Sequence, residues 1–194
     1  MKNKQRKSNE FFTGECDITF YKVRDIKSSW NLDSFPMEAE EIPTKLYVWQ
    51  LDVYMCLFNY KRSELIYCLV DTPTRLVEDE LRRSDWKFNV FNGEGNVNDN
   101  MIPLVVEIVS NLIYTKKGLK DFLKETSFGI KATWFEHFIE IPEEVRIKIY
   151  KHNYSEERIN QMKEMVKLAR EYMNDVLLGI GSNALNLKEL REAS

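Results

Sequence analysis

From residue 15 to residue 20 the side chains alternate without exception. Cys16, Ile18 and Phe20 are apolar, and Glu15, Asp17 and Thr19 are polar. A period of two is that of a half-buried strand, because successive side chains leave opposite faces of the backbone. Alternation resumes in "KVRDIKSS", residues 22–29, with Val23, Asp25 and Lys27 on one face and Arg24 and Ile26 on the other. The two runs predict a β-hairpin with Tyr21 and Lys22 at its turn. The tip carries neither Asn-Gly nor Gly-Gly, so turn chemistry leaves the register open.

Residues 30–43 are broken by Pro36 and Pro43 and read as loop. After Pro43 the period changes: Tyr47, Leu51, Tyr54 and Phe58 recur at helical spacing, with Thr44 as the N-cap. "ELIYCLVDT", residues 64–72, is a nearly continuous run of β-formers, as in a strand buried on both faces. The order strand, strand, helix, strand predicts a mixed sheet with the helix packed across it. The second half is richer in helix, with one near residues 75–84 and another across "MIPLVVEIVSNLIYT", residues 101–115. Between them "GEGNVNDN", residues 93–100, reads as a mobile loop. "EVRIKIY", residues 144–150, alternates again and predicts a strand at a sheet edge. Ser155 then serves as an N-cap with Glu156 and Glu157 in the first turn. Ile159, Met162, Val166, Ala169, Met173 and Val176 follow at three- and four-residue steps, predicting a core-facing helix that Gly179 closes.

Composition narrows the class. At 194 residues, with no internal repeat or Pro-rich linker, the chain reads as a single domain over 1–194, a motif-bearing part at 10–75 and a helical part at 75–194. No apolar run approaches the roughly 18–20 residues of a spanning helix. "MKNKQRKSNE" at the start offers no apolar stretch for a signal peptide, so the expectation is a cytoplasmic protein with no membrane contact. Cys16, Cys56 and Cys68 are odd in number and unclustered, which argues against disulfides, zinc or iron-sulfur sites and for core thiols. A net charge of -3 supplies no bulk attraction for nucleic acid. Locally, Lys2, Lys4, Arg6 and Lys7 open the chain, and Lys22, Arg24 and Lys27 form a stripe able to track phosphates. For the terminal four, a frayed solubilising end is the simpler reading.

The candidate chemistry sits in the hairpin. Asp25 and Lys27 project from one side of a strand, and Asp17 on the preceding strand reaches that face if the turn is tight. Two carboxylates offer hard oxygen ligands to magnesium, and an adjacent lysine can orient the attacking water or offset charge in the transition state. Spacing alone does not decide the matter, since solvated charges on a hairpin's wet face are the commoner outcome. Gln50 and Tyr54 lie four apart on one face of the predicted helix, where an amide and a phenol can hold a DNA backbone, although Tyr54 also belongs to the apolar stripe. Trp30 follows the second strand and is open to base stacking or to the core, and Trp49 reads as core. His137 and His152 stand apart and read as structural or surface residues. No GxxxxGK[ST], GxSxG or HExxH motif is present.

Asp17, "DIK" at 25–27 and "QLDVY" at 50–54, followed by a buried strand, resemble the PD-(D/E)XK nuclease superfamily in its QxxxY branch. That branch holds RecB-like nuclease domains, lambda-type phage exonucleases and YqaJ-like viral recombinases. "GECDI", "RDIKSSWNLDSFP", "LYVWQLDVYM" and "LVDTP" are similar in order and spacing to segments of prophage-borne members, over roughly residues 10–75. The resemblance implies an α/β (α+β) chain with a restriction-endonuclease-like mixed β-sheet flanked by helices. It implies Asp17 and Asp25 as metal ligands, with the Ile26 carbonyl as a further one, and Lys27 as the catalytic lysine beside them. Gln50 and Tyr54 match the pair that contacts DNA. The implied activity is Mg2+- or Mn2+-dependent phosphodiester hydrolysis of exonuclease type in phage recombination or repair. DNA is the implied partner, with a phage single-strand annealing protein and a homo-oligomer beyond it.

One departure bears on activity. Family members carry a glutamate-bearing helix ahead of the first metal-binding strand, and the residues before Phe11 have no room for it. Glu10 has no helix to present it, and Glu15 points away from Asp17 on a strand. This predicts either a portion of a longer assembly or a catalytically impaired nuclease fold serving as a DNA-binding or protein-interaction module. A third possibility is an oligomeric structural protein joined through its long last helix.

Overall fold

The computed structural model describes the backbone of residues 3–192 and the side chains of residues 3–179. Packing divides the chain into two compact units, one of Met1–Arg24, Thr44–Glu64 and Lys151–Ser194, the other of Asp25–Pro43 and Leu65–Tyr150. Lys2 lies outside the described residues. The fold class is mixed α+β. A four-stranded sheet runs in the order β3 (Ile18–Phe20), β4 (Lys22–Ser29), β5 (Arg62–Leu69), β6 (Ile147–Asn153).

In the first unit, β1 (Lys7–Ser8) pairs antiparallel with β2 (Thr13–Gly14). Asn9 Oδ1 closes the connection by accepting from the N–H groups of Phe11 and Phe12. The Asn3 N–H donates to the Asp17 carbonyl at 2.6 Å and its side-chain amide to the Cys16 carbonyl at 3.0 Å. The opening segment is therefore folded back on its own unit rather than frayed. β3 and the start of β4 form an antiparallel hairpin in the register Ile18–Arg24, Thr19–Val23, Phe20–Lys22. Tyr21 alone makes the turn at φ 59°, a left-handed backbone that bulky residues seldom adopt. Lys22 consequently belongs to the strand, not to the turn. Cys16 and Val23 are buried as the alternation requires, but Phe20, at the hairpin tip, is exposed.

Helix α1 (Lys45–Phe58) begins where expected, with Thr44 Oγ1 accepting from the Leu46 N–H. Asn59, also in the left-handed region, ends it. Leu51, Met55 and Phe58 are buried, and α1 packs against α6 (Glu156–Glu192) and the β1–β2 ladder. Ser155 caps α6 by accepting from the Arg158 N–H at 3.2 Å. The predicted stripe faces a core only over its first turns: Ile159 is buried, Met162 and Val166 are half-buried, and Ala169, Met173 and Val176 are exposed. Gly179 does not close the helix, which continues to Glu192. A lone glycine weakens a helix by about 1 kcal/mol, too little to stop one already propagating.

The second unit holds α2 (Thr74–Phe88), α3 (Ile102–Leu112), α4 (Lys116–Glu125) and the one-turn α5 (Glu143–Arg146). Its core joins Val77 and Leu81 of α2, Val105 and Val109 of α3, and Phe122 of α4. The glycine- and asparagine-rich connector is closed by a Phe91–Val97 bridge, with Asn92 Oδ1 accepting from the N–H groups of Glu94 and Asn96. α3 stops three residues short of the predicted end. There the Asp71 carboxylate takes the N–H groups of Tyr114 and Thr115, at 2.6 and 3.0 Å, and Thr115 caps α4. The edge strand starts at Ile147, because Pro142 launches the α5 turn through Val145 and Arg146. No described helix is long and apolar enough to cross a membrane.

Candidate active site

Strand periodicity places Val23, Asp25 and Lys27 on one face of β4, and burial follows it. Val23 is fully buried, Asp25 is 4% exposed and Lys27 half-buried, while the Ile26 side chain is exposed. A carboxylate taken from water is costly unless paired. Here the Lys27 ammonium stands 2.7 Å from Asp25 Oδ2, within the second unit. The carbonyl of Ile26 lies between them in the chain.

Asp17 is in the first unit, half-buried, directly ahead of β3. Ile18 opposite Arg24 is the last registered pair of the hairpin, so Asp17 and Asp25 are the chain positions just beyond that pair. Gln50 and Tyr54 occupy successive turns of α1, also in the first unit. Gln50 Nε2 donates to the Tyr54 hydroxyl at 2.7 Å. The Tyr54 ring packs over Gly14 of β2, where an added Cβ would stand 2.7 Å from Cε1. Tyr54 is thus half-buried with a bonded phenol rather than a core residue of the apolar stripe. Trp30, in the second unit, is 49% exposed. Its carbonyl accepts from the hydroxyls of Thr72 and Tyr114, at 2.7 and 2.9 Å.

Asp25 and Lys27 are thus in contact in one unit, and Gln50 and Tyr54 in the other. Among the described residues, no three or more His, Cys, Asp or Glu side chains are grouped as a metal site.

Two buried ionic groups have no signal in the sequence. Glu64 sits inside the apolar run of β5, yet it accepts from Lys22 Nζ and, at 2.9 Å, from Arg24 Nε. Burial alone would raise its carboxyl, but these two cations hold it below the ordinary value. Lys22 and Arg24 of the basic stripe are thereby engaged with a carboxylate. Asp52, between Gln50 and Tyr54 on α1, is fully buried and points into a different network. It accepts from Arg158 Nε at 2.6 Å and the Ser155 N–H at 2.9 Å, and its Oδ1 lies 3.2 Å from His152 Nε2. Burial pushes the Asp52 carboxyl up, and the bonds from His152, Arg158 and Ser155 bring it below its usual value. His152 is structural, as its isolation in the sequence suggested.

The mixed sheet and the helical second half make an α+β fold. No protein-family model matches the chain, and no curated protein matches it. Among solved structures the fold is similar to that of a phage-related exonuclease from Haemophilus somnus 129PT, with a TM-score of 0.56 and 23% identity over 92% of this chain. The chain spans 62% of that protein's length, and the likeness is one of fold.

Proposed function

We propose that the protein is a metal-dependent DNA nuclease of the PD-(D/E)XK type, exonuclease-like and of phage recombination or repair character. The observation that carries this reading is the buried Asp25 carboxylate ion-paired with Lys27 on β4, in a "DIK" sequence, within a fold shared with a phage-related exonuclease. Neither residue type is stable in a sheet interior without a reason. The pair is what a site needs if it is to keep a carboxylate ionised and a cation beside it.

The assigned donors are the carboxylates of Asp17 and Asp25 and the carbonyl of Ile26, all oxygen. Mg2+ suits such a set, because it keeps several waters and uses one or two carboxylates together with substrate phosphate. When bound, the ion supplies Lewis-acid polarisation of the phosphate and a more acidic water. Lys27 donates to a non-bridging phosphate oxygen or to the attacking water, fixing its line of approach and offsetting negative charge. Water oxygen bonds to phosphorus and its proton passes to solvent, while the bond to the leaving sugar oxygen breaks and that oxygen takes a proton from solvent to leave as a hydroxyl. Gln50 and Tyr54, locked to one another, present an amide and a phenol to the DNA backbone.

The test is degradation of linear DNA in Mg2+ or Mn2+ by the wild type, Asp25→Ala and Lys27→Ala. Both variants are expected to lose activity by on the order of 10^2-fold or more. If wild type and Asp25→Ala behave alike, the hydrolytic reading is wrong, and the fold serves binding alone.

A further inference from the structure

Directly after β4, the second unit carries a cavity of about 560 Å3 lined by the half-exposed Trp30 and by Leu76, Ile108 and Leu112. Its volume falls in the ~300–1,000 Å3 range of small-ligand clefts. Asn111 and Asp33 bring hydrogen-bonding groups to the same space. Asp79 and Glu80 also line it, each paired with arginine. Asp79 is paired with Arg75 and Arg82, at 3.1 and 3.0 Å, and Glu80 with Arg83 at 3.0 Å. The lining mixes the Trp30 indole and aliphatic side chains with hydrogen-bonding groups and more carboxylates than cations, which suits a heteroaromatic ring with a polar edge better than a phosphate.

The wall is built rather than incidental. The Trp30 carbonyl accepts from the Thr72 hydroxyl, the Tyr114 hydroxyl shares its one proton between the Asn111 and Trp30 carbonyls, at 2.6 and 2.9 Å, and Ser34 bonds to both Ser29 and Asn31. Burial, with the charges of Asp71 and Asp33, pushes the Tyr114 phenol up to about 12, so it remains a donor at neutral pH. Trp30 lies three residues beyond Lys27, on the order of 10 Å at ~3.3 Å per strand residue. A few nucleotides of single strand cover that span.

We infer that this cavity receives one unstacked nucleobase of a single-stranded DNA segment, its ring against the Trp30 indole and its edge toward Asn111 and Asp33. The inference rests on the proposed nuclease reading for the identity of the polymer. Stacking of this kind tolerates any base and contributes about tenfold to affinity. The acidic carboxylate favours exocyclic amino groups, which carry hydrogen-bond donors, over carbonyl edges.

The test is binding in EDTA, without cleavage, of single-stranded oligonucleotides carrying 2-aminopurine or an abasic residue at successive positions from one end. We expect fluorescence quenching at one position, lost in Trp30→Ala and retained in Trp30→Phe. An abasic residue there should weaken the wild type about tenfold and leave Trp30→Ala unaffected. Leu76→Trp, which fills the cavity while leaving Trp30 in place, should weaken the intact oligonucleotide and spare the abasic one. Quenching that depends on Trp30 in a protein that fails to cleave DNA in Mg2+ supports the cavity and removes the hydrolytic reading. Cleavage without any position-specific, Trp30-dependent quenching overturns the cavity alone, and absence of DNA binding overturns both.

Discussion

Asp25 and Asp52 show what a buried carboxylate signifies at the scale of one residue. Both are nearly inaccessible; Asp25 is ion-paired with Lys27 of its own strand, and Asp52 is surrounded by an arginine, a histidine and a backbone N–H from a later part of the chain. Asp52 is thus satisfied by structure, and its purpose is to hold α1 against the start of α6. Arg158→Ala leaves that carboxylate short of its closest cation and should cost about 3 kcal/mol of stability, read from denaturant unfolding. The folded pKa of Asp52 is depressed, so its contribution is complete above the ordinary carboxylate value of 3.8 and disappears as pH falls through the lower folded value. Asp52→Asn should therefore be less stable than the wild type at neutral pH, with the difference shrinking in acid. A constant difference across the acid range would contradict the assignment. Nothing in "QLDVY" marks Asp52 as buried, because its partners come from residues about a hundred positions later.

At the scale of elements, local chemistry was legible wherever it is decided locally. Thr44 and Ser155 cap the helices they were expected to cap, and the two faces of β4 separate as its alternation requires. The errors fall where tertiary structure decides. Glu64 is admitted to an apolar strand by cations from a neighbouring strand, and α3 is shortened by the carboxylate of Asp71. Gly14 links two elements of the candidate site, since its missing side chain admits the Tyr54 ring. Gly14→Ala should push Tyr54 away from its place beside Gln50 and weaken DNA binding several-fold while α1 stays helical. Comparison of DNA affinity with far-ultraviolet circular dichroism separates these effects. In α6, Gly179 has open space around it and sits in the helix interior. Gly179→Ala should raise helix content and stabilise the helix by up to about 1 kcal/mol. A fall in helicity would place the helix end at Gly179 after all.

For the molecule as a whole, motif order carried the reading further than bulk charge did. A net charge of -3 argues against a polyanionic partner. The fold is similar to that of a phage-related exonuclease, and Asp25 and Lys27 pair on β4. Long-range DNA attraction is weak for such a surface, so binding should depend on short-range contacts at the site. The affinity should accordingly fall less steeply with salt than for a protein with a basic face. The short opening strands and Asn3 contacts were not legible, because a Lys-rich segment gives no hydrophobic period to read.

The most direct measurement is the rate of phosphodiester cleavage of linear DNA by the wild type, Asp25→Ala, Lys27→Ala and Arg158→Ala, with Mg2+ and with EDTA. The expected result is Mg2+-dependent cleavage by the wild type, loss of about 10^2-fold or more in the first two variants, and retention in Arg158→Ala at a temperature where it is folded. Cleavage by Asp25→Ala at the wild-type rate, or cleavage undiminished in EDTA, would contradict it.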